Sequence, residues 1–401
     1  MKTNLTAIGF TCFLAHFFAP GGFSANVIVN NVAFVPSCPG QYSTIQAGVN
    51  AANNGDVVIV CASSTPYNEQ VVIANKTVSL KGQTGATIKP APMVNNAFKL
   101  SSSAPVAAAI LVQNATGVTI SNLILDGLNN GFGDCNGNPI GIYYQNASGT
   151  AGFNAIRNFK LGAGLEGCQS GLGIFVEAGA GGIAKVTAQS NSVHDFQKNG
   201  ITANGVGATL TAAQNTVTGI GPTPNIAQNG IQAGFGATGT IGSNVVTNVV
   251  YSPCVDTATC TASSTGILIY QANGVNITQN TVNTTQGGIY YYSASGGNAN
   301  NNGISNSLVY DGIAVADDGI TLGNSHTFDK NVISNSGESG VYVSTSNNTV
   351  TNNTIIETPI GIWFFSGSGN VQSGDKFFAT PMPVRTGALA VQKHGVPQPV
   401  N

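Results

Sequence analysis

The chain has 401 residues, of which only 7% are charged, with a formal net charge of −2 and 52 glycines. Long amphipathic helices need far more charge than this, since roughly 25% is usual in globular proteins, and the lack of a basic balance excludes an ordinary nucleic-acid binder. Apolar residues make up 42%, enough for a continuous core, so the low complexity does not imply disorder.

The N-terminus carries Lys2, then an apolar stretch from Leu5 to Ala19, then the small residues Gly22 and Ser24. This three-part pattern predicts a secretory signal over 1–24, cut before Ala25, and therefore a secreted protein, extracellular or periplasmic. No later stretch is long and apolar enough to span a bilayer. Cleavage removes Cys12 and leaves Cys38, Cys61, Cys135, Cys168, Cys254 and Cys260. An even count in an exported chain points to disulfides. Sequence proximity favours Cys38–Cys61, Cys135–Cys168 and Cys254–Cys260. No CxxC pair or His cluster accompanies them, so neither a metal nor a cofactor is expected.

Ser43-Thr44-Ile45-Gln46 fits a capping box. Ile45, Val49 and Ala52 then share one face of a short helix that ends at Gly55-Asp56. Alternating strands follow over Val57–Cys61, Tyr67–Ile73 and Thr77–Gly82. Further on, a Gly-Ile step, once Gly-Val, recurs at Gly141, Gly173, Gly200, Gly230, Gly266, Gly288, Gly319, Gly340 and Gly361, at spacings of 21 to 36 residues. Between copies come stretches such as Asn191-Ser192-Val193, Asn215-Thr216-Val217, Asn280-Thr281-Val282 and Asn353-Thr354-Ile355. Self-similarity at this period predicts a solenoid, whose coils bury their apolar faces only by stacking. The repeat region is expected over 25–372, with a Pro-rich tail or cap over 373–401. The helix would cover the first coil, whose open edge otherwise invites aggregation.

The run Thr44-Ile45-Gln46-Ala47-Gly48-Val49-Asn50-Ala51-Ala52, with Gly55-Asp56-Val57-Val58-Ile59-Val60, Tyr67-Asn68-Glu69 and Leu80-Lys81-Gly82, resembles the opening of pectin-lyase-like proteins. The Gly-Ile and Asn-Thr-Val coils are similar to the repeats of that superfamily. The resemblance covers roughly 38–372 and implies an all-β fold: a right-handed, single-stranded parallel β-helix of about ten coils with an N-terminal capping helix. It does not imply one activity, because the superfamily holds lyases, hydrolases, esterases, epimerases and noncatalytic surface proteins. The Asp-Pro-His-Asp of alginate epimerases, the Gly-His-Gly of polygalacturonases and the paired Gln and Asp motifs of pectin methylesterases are missing.

In such a helix equivalent positions stack about 4.8 Å apart. The residue after each repeated Gly is Ile or Val and points inward; the next points outward. That outward column reads Tyr143, Phe175, Thr202, Gln232, Leu268, Tyr290, Thr321, Tyr342 and Trp363. Tyr290, Tyr342 and Trp363 are candidate sugar platforms, since the C–H faces of a sugar suit aromatic rings. The other reading is that loops or the tail bury the column. Two residues before the Gly, Asp317 and Glu338 would lie one coil apart, near the roughly 5 Å separation that retaining glycosidases use. They are the candidate catalytic pair in this register; Asp311-Gly312-Ile313 supplies an alternative register that separates them. His194-Asp195 and His326 with Asp329 read as solvated turns, and Lys198 lies some four coils from Asp317. With so few scattered cations, a hydrolase is favoured over a lyase or epimerase, if the chain is an enzyme at all. The expected partner is a polysaccharide or cell-surface glycan engaged by a monomer on its outer face, and possible cleavage rests on the acid pair. The alternative is a noncatalytic extracellular rod, structural or adhesive.

Overall fold

The computed structural model describes residues 24–32, 37–252, 260, 262–388 and 396–401. The expected signal, Ser24 apart, and Cys254 lie outside them. Three parallel sheets of 13, 13 and 11 strands run the length of the molecule, and successive coils add a strand to each. The first sheet runs from Asn26–Val29 to Val371–Ser373, the second from Val71–Ala74 to Met382–Thr386, the third from Thr87–Ile88 to Lys376–Phe378. The one antiparallel pairing described joins Ala97–Phe98 to Pro105–Gln113.

The 11 to 13 strands per sheet agree with a solenoid of about ten coils, which the stack extends at both ends. Coils before Gly141 lack the Gly-Ile step and were not counted by it. Stacking also continues past residue 372: Lys376–Phe378 pairs with Thr354–Ile356, and Met382–Thr386 with Ile360–Phe364. The expected tail thus supplies a final coil before it leaves the stack.

The helix spans Ile45–Ala51, with Thr44 rather than Ser43 as its cap: the Thr44 side chain accepts a hydrogen bond from the Ala47 N–H. The free N–H groups of Ile45 and Gln46 donate to the two carboxylate oxygens of Glu69 at 2.7 and 2.9 Å. An acid at a helix N-terminus opposes the helix dipole. Cys38–Cys61 and Cys135–Cys168 are disulfides. Cys260 is also disulfide-bonded, and its expected partner lies outside the described residues.

Two features repeat in each coil. The first is the glycine: a Cβ on Gly173 would stand 2.4 Å from Val193 Cγ1 and 2.5 Å from the Gly200 carbonyl oxygen. The second sheet therefore approaches the third too closely for any side chain at that position. The next residues, Ile142, Ile174, Ile201, Ile231, Ile267 and Ile289, form a fully buried inward ladder, as expected. The second is a turn between first and third sheets, made by one left-handed residue followed by Asn. Ser190, Gln214, Ser243 and Gln279 have φ of 53°, 58°, 57° and 58°. The Asn that follows is buried, and the amides form a ladder through Asn154, Asn191, Asn215, Asn244, Asn280, Asn302, Asn331 and Asn353. From Asn191 on, each Oδ1 accepts both the N–H and the amide NH2 of the Asn one coil before, both at 2.9 Å in the Asn215–Asn244 rung. Asp375 ends the ladder and accepts both groups of Asn353. Burial raises the pKa of Asp375 despite those bonds.

Removing one rung strands buried donors on one side and an acceptor on the other. Asn244→Ala is expected to lower the unfolding free energy by about 2–4 kcal/mol. Thr240→Ala, on the exposed outer face of the first sheet, should cost under about 0.5 kcal/mol. Chemical denaturation of both variants checks this; equal effects would remove the ladder's special role.

Candidate functional site

The outer face of the second sheet is where the sequence places its aromatic and acidic candidates. Its register runs Tyr143, Phe175, Thr202, Gln232, Leu268, Tyr290, Ala314, Tyr342, Trp363 and Arg385. Ala314 takes the place expected for Thr321, so Gly312 is the repeat glycine and Gly319 is not. Gly312 meets the same obstruction as the others, with Ile333 Cγ2 at 2.3 Å from an added Cβ, whereas Gly319 faces open space at φ +75°.

This register separates the expected catalytic pair. Asp317 lies beyond the strand Ile313–Ala316, where its carboxylate accepts the Gly319 N–H at 3.1 Å. Asp318 caps the same turn through Ile320 and Thr321. Neither stacks on Glu338. Asp311 is its acidic neighbour: the register sets Asp311 level with Ser339, the residue after Glu338, and its Oδ1 accepts the Ser339 N–H at 3.0 Å and the Ser339 hydroxyl. Both acids are buried, 1% and 6% exposed. Burial pushes Glu338 up to about 7, and burial plus the neighbouring Glu338 charge raises Asp311 well above the usual carboxylate range. A cavity of ≈ 10 Å³, about the size that holds one water, lies among Ser263, Gly287, Tyr290, Tyr310, Asp311 and Ala314.

The aromatics are brought together as expected, but they are covered. Tyr290, Tyr342 and Trp363 are 6%, 4% and 0% exposed and share one apolar cluster with Leu268 and Ile360. Tyr342 and Trp363 meet edge to face, with ring centroids 5.4 Å apart. The Trp363 indole N–H donates to the Gly387 carbonyl at 2.9 Å, and the Arg385 guanidinium lies 5.5 Å from its ring centre. The end of the chain thus packs on Trp363, as the covering alternative required.

Other candidates separate by burial. His194 and Asp195 form a half-exposed turn pair at 2.7 Å. His326 is not a solvated turn: it is 1% exposed, its ring nitrogens face the Ala294 and Gly297 carbonyls, and burial lowers it to about 4. Lys198 is fully buried, its ammonium donates to the Ala227 carbonyl at 2.7 Å, and burial lowers it to about 7.

Sequence reasoning missed a second buried polar group on the same face. The Glu177 carboxylate accepts the N–H groups of Leu100 and Ser101 at 2.8 and 3.0 Å and the Tyr143 hydroxyl. Lys99 is buried beside it, and burial lowers its pKa. The available signal was a charged residue inside a strand of a chain with so few charges. On the first sheet, by contrast, the outer face is open, with threonine pairs such as Thr209/Thr211, Thr238/Thr240 and Thr349/Thr351. A groove there of ≈ 610 Å³ is lined by Ile59, Lys81, Thr119, Thr150, Phe153 and Gln189, among others.

The sequence model of the family described as "Right handed beta helix region" matches residues 199–378. The chain has a right-handed parallel β-helix fold. A comparison with curated proteins finds no match. Among solved structures, the A-module of Azotobacter vinelandii mannuronan C-5 epimerase AlgE4 is 12% identical, with a TM-score of 0.60 over 94% of this chain and 100% of that one. The GH136 lacto-N-biosidase from Eubacterium ramulus is 12% identical, with a TM-score of 0.56 over 92% of this chain and 68% of that one. PfbA, a surface adhesin of Streptococcus pneumoniae, is 12% identical, with a TM-score of 0.52 over 87% and 89%. At these identities the likeness is one of fold.

The acid pair makes a pH prediction. A carboxyl raised in the folded state keeps its proton after the unfolded chain has lost it, so stability is greatest in acid and falls as pH rises. For Glu338 the window is about pH 4.5 to 7, and Asp311 adds to the fall in the same direction. Glu338→Gln is expected to flatten this slope in thermal melts taken across the window; an unchanged slope would refute the buried, protonated state.

Proposed function

We propose that the protein is exported and engages a polysaccharide along the outer face of the second sheet. The observation that supports this is the column Tyr290, Ala314, Tyr342 and Trp363, with Asp311 and Glu338 close to its tyrosines. The column is covered, so engagement requires the segment at Arg385 and Gly387 to lift from Trp363. Aromatic faces pack on sugar C–H surfaces, and polar groups beside them bind hydroxyls. Solved structures of similar fold, a mannuronan epimerase module and a lacto-N-biosidase among them, support the class of ligand. The two disulfides support export.

Cleavage is the finer part of the proposal, and it belongs to Asp311 and Glu338 rather than to Asp317. Glu338, raised to about 7, holds a proton near neutral pH, as a general acid for glycoside hydrolysis must. The competing reading is a noncatalytic adhesive rod, favoured by the open threonine-lined first sheet and by the fold likeness to the PfbA adhesin.

A panel of neutral and uronic-acid polysaccharides separates these. Binding by calorimetry, with new reducing ends that fall by about 100-fold or more in Asp311→Asn and Glu338→Gln, is the expected result for a hydrolase. Binding without turnover, abolished by Phe153→Ala and Thr150→Ala on the first sheet, would identify the adhesive rod. A folded chain that binds no member of the panel would sink the glycan proposal.

A further inference from the structure

The end of the chain does more than cover Trp363. Val396 and Pro397 pair in parallel with Ala262 and Ser263, five strands of the second sheet back from Met382–Thr386. From there the segment runs on across earlier coils. The Gln398 carbonyl accepts the Asn229 amide at 2.9 Å. Val400 donates its N–H to Gln232 Oε1 at 3.0 Å, and its carbonyl accepts Gln232 Nε2 at 2.8 Å and Asn204 Nδ2 at 2.7 Å. The Lys99 ammonium donates to the Asn401 main-chain oxygen. The Val400 side chain sinks into the face, 3% exposed beside Leu111, Tyr143 and Phe175.

Two things about the surface beneath are out of keeping with a simple structural seam. First, it is a network of amides and hydroxyls, fully buried: Asn199 donates to Thr202 Oγ1 and to Gln232 Oε1, and Gln232 donates to Asn204 Oδ1. A face meant only to be covered is ordinarily apolar, because each buried polar group must be satisfied. Second, the segment leaves one of those groups unmet. Asn229 is 0% exposed, its NH2 has partners in Gln398 and Asn199, and its Oδ1 finds no donor among the described residues. A backbone carbonyl cannot supply that donor. A hydroxyl can, since it donates and accepts at once, and adjacent sugar hydroxyls present both functions to an amide.

We infer that the surface formed by Asn199, Thr202, Asn204, Asn229 and Gln232 is a subsite for a neutral, hydroxyl-rich glycan, held shut by the protein's own segment Val396–Asn401. The inference rests on glycan engagement at this face and adds its ligand class and its control. The contacts from Asn229, Gln232, Asn204 and Lys99 are all made to main-chain atoms of the segment, so it lies in the groove as one extended polymer in place of another. Tyr143 and Phe175, stacked with centroids 5.0 Å apart and 14° between planes, close the far end and supply the flat surface that a sugar ring needs once Val400 leaves it. Bound segment and bound glycan exclude each other, and apparent glycan affinity is lowered by the fraction of molecules in which the groove is closed.

The test uses the full chain with Val400→Asp, which places a charge in the Val400 socket while leaving every amide of the groove intact. A second variant ends the chain at Gly395. Hydrogen exchange reads release of the segment in the first; calorimetry against neutral glycans reads affinity in both. The expected result is loss of protection over residues 398–401, an unchanged melt for the coils, and glycan binding about tenfold or more tighter than wild type. A synthetic peptide of residues 395–401 should reverse the gain in the shortened chain. If the segment is released and glycans bind as in wild type, the inference fails while glycan engagement elsewhere on the face survives. If neither variant nor wild type binds any glycan, both fail. If either variant melts the coils, the segment is a structural part of the stack and the inference fails.

Discussion

A buried asparagine amide that pairs with its own copy one coil away governs where each coil turns, and most other features follow from it. The Asn side chain takes the N–H and NH2 of one neighbour and offers its own to the next, so the amide must sit at the same place in successive coils. The residue before it enters the left-handed region, which bends the chain from the first sheet into the third. With that corner held, the third-sheet valine two residues later points inward. Its methyl then lies where a Cβ on the second-sheet glycine would have to be. Corner, valine and glycine are one constraint, not three.

That constraint leaves the outer faces free to differ. Coil length between corners varies without disturbing the stack, because extra residues leave the helix as loops. Those loops and the returning chain lie on the second sheet and bury its outer column, while the first sheet keeps its hydroxyl rows in solvent. Burial is also what makes the acids chemically unusual. Asp311 and Glu338 in solvent would be ordinary carboxylates; under the aromatic cluster they hold protons to higher pH.

The same logic explains which readings of the sequence held and which did not. The inward ladder from Ile142 to Ile289 and the disulfides Cys38–Cys61 and Cys135–Cys168 were legible, because local spacing decides them. The step at Gly319 was not distinguishable from that at Gly312 by motif: both precede Ile after Asp. The difference is steric. Gly312 sits against Ile333 and the Gly340 carbonyl, and Gly319 sits in a turn with nothing near it. Choosing between them moved the acid pair from Asp317 to Asp311. Glu177 and Lys99 were passed over because their partners, Tyr143, Leu100 and Asn401, are far apart in the chain.

The sequence by itself determined the stacked solenoid, its inward columns and the aromatic column, since a repeat that aligns with itself leaves no other way to bury its apolar residues. Only the tertiary structure decided the register at Gly312, the union of Asp311 with Glu338 and the cover over both. The register depends on how Gly312 meets Ile333 and Gly340 one coil on. The same face is also met by a segment with no shared periodicity, the residues at 396–401, which bond amides at Asn204, Asn229 and Gln232, up to 196 residues earlier. No local pattern encodes such a meeting; the packing of one face against a non-repeating strand does.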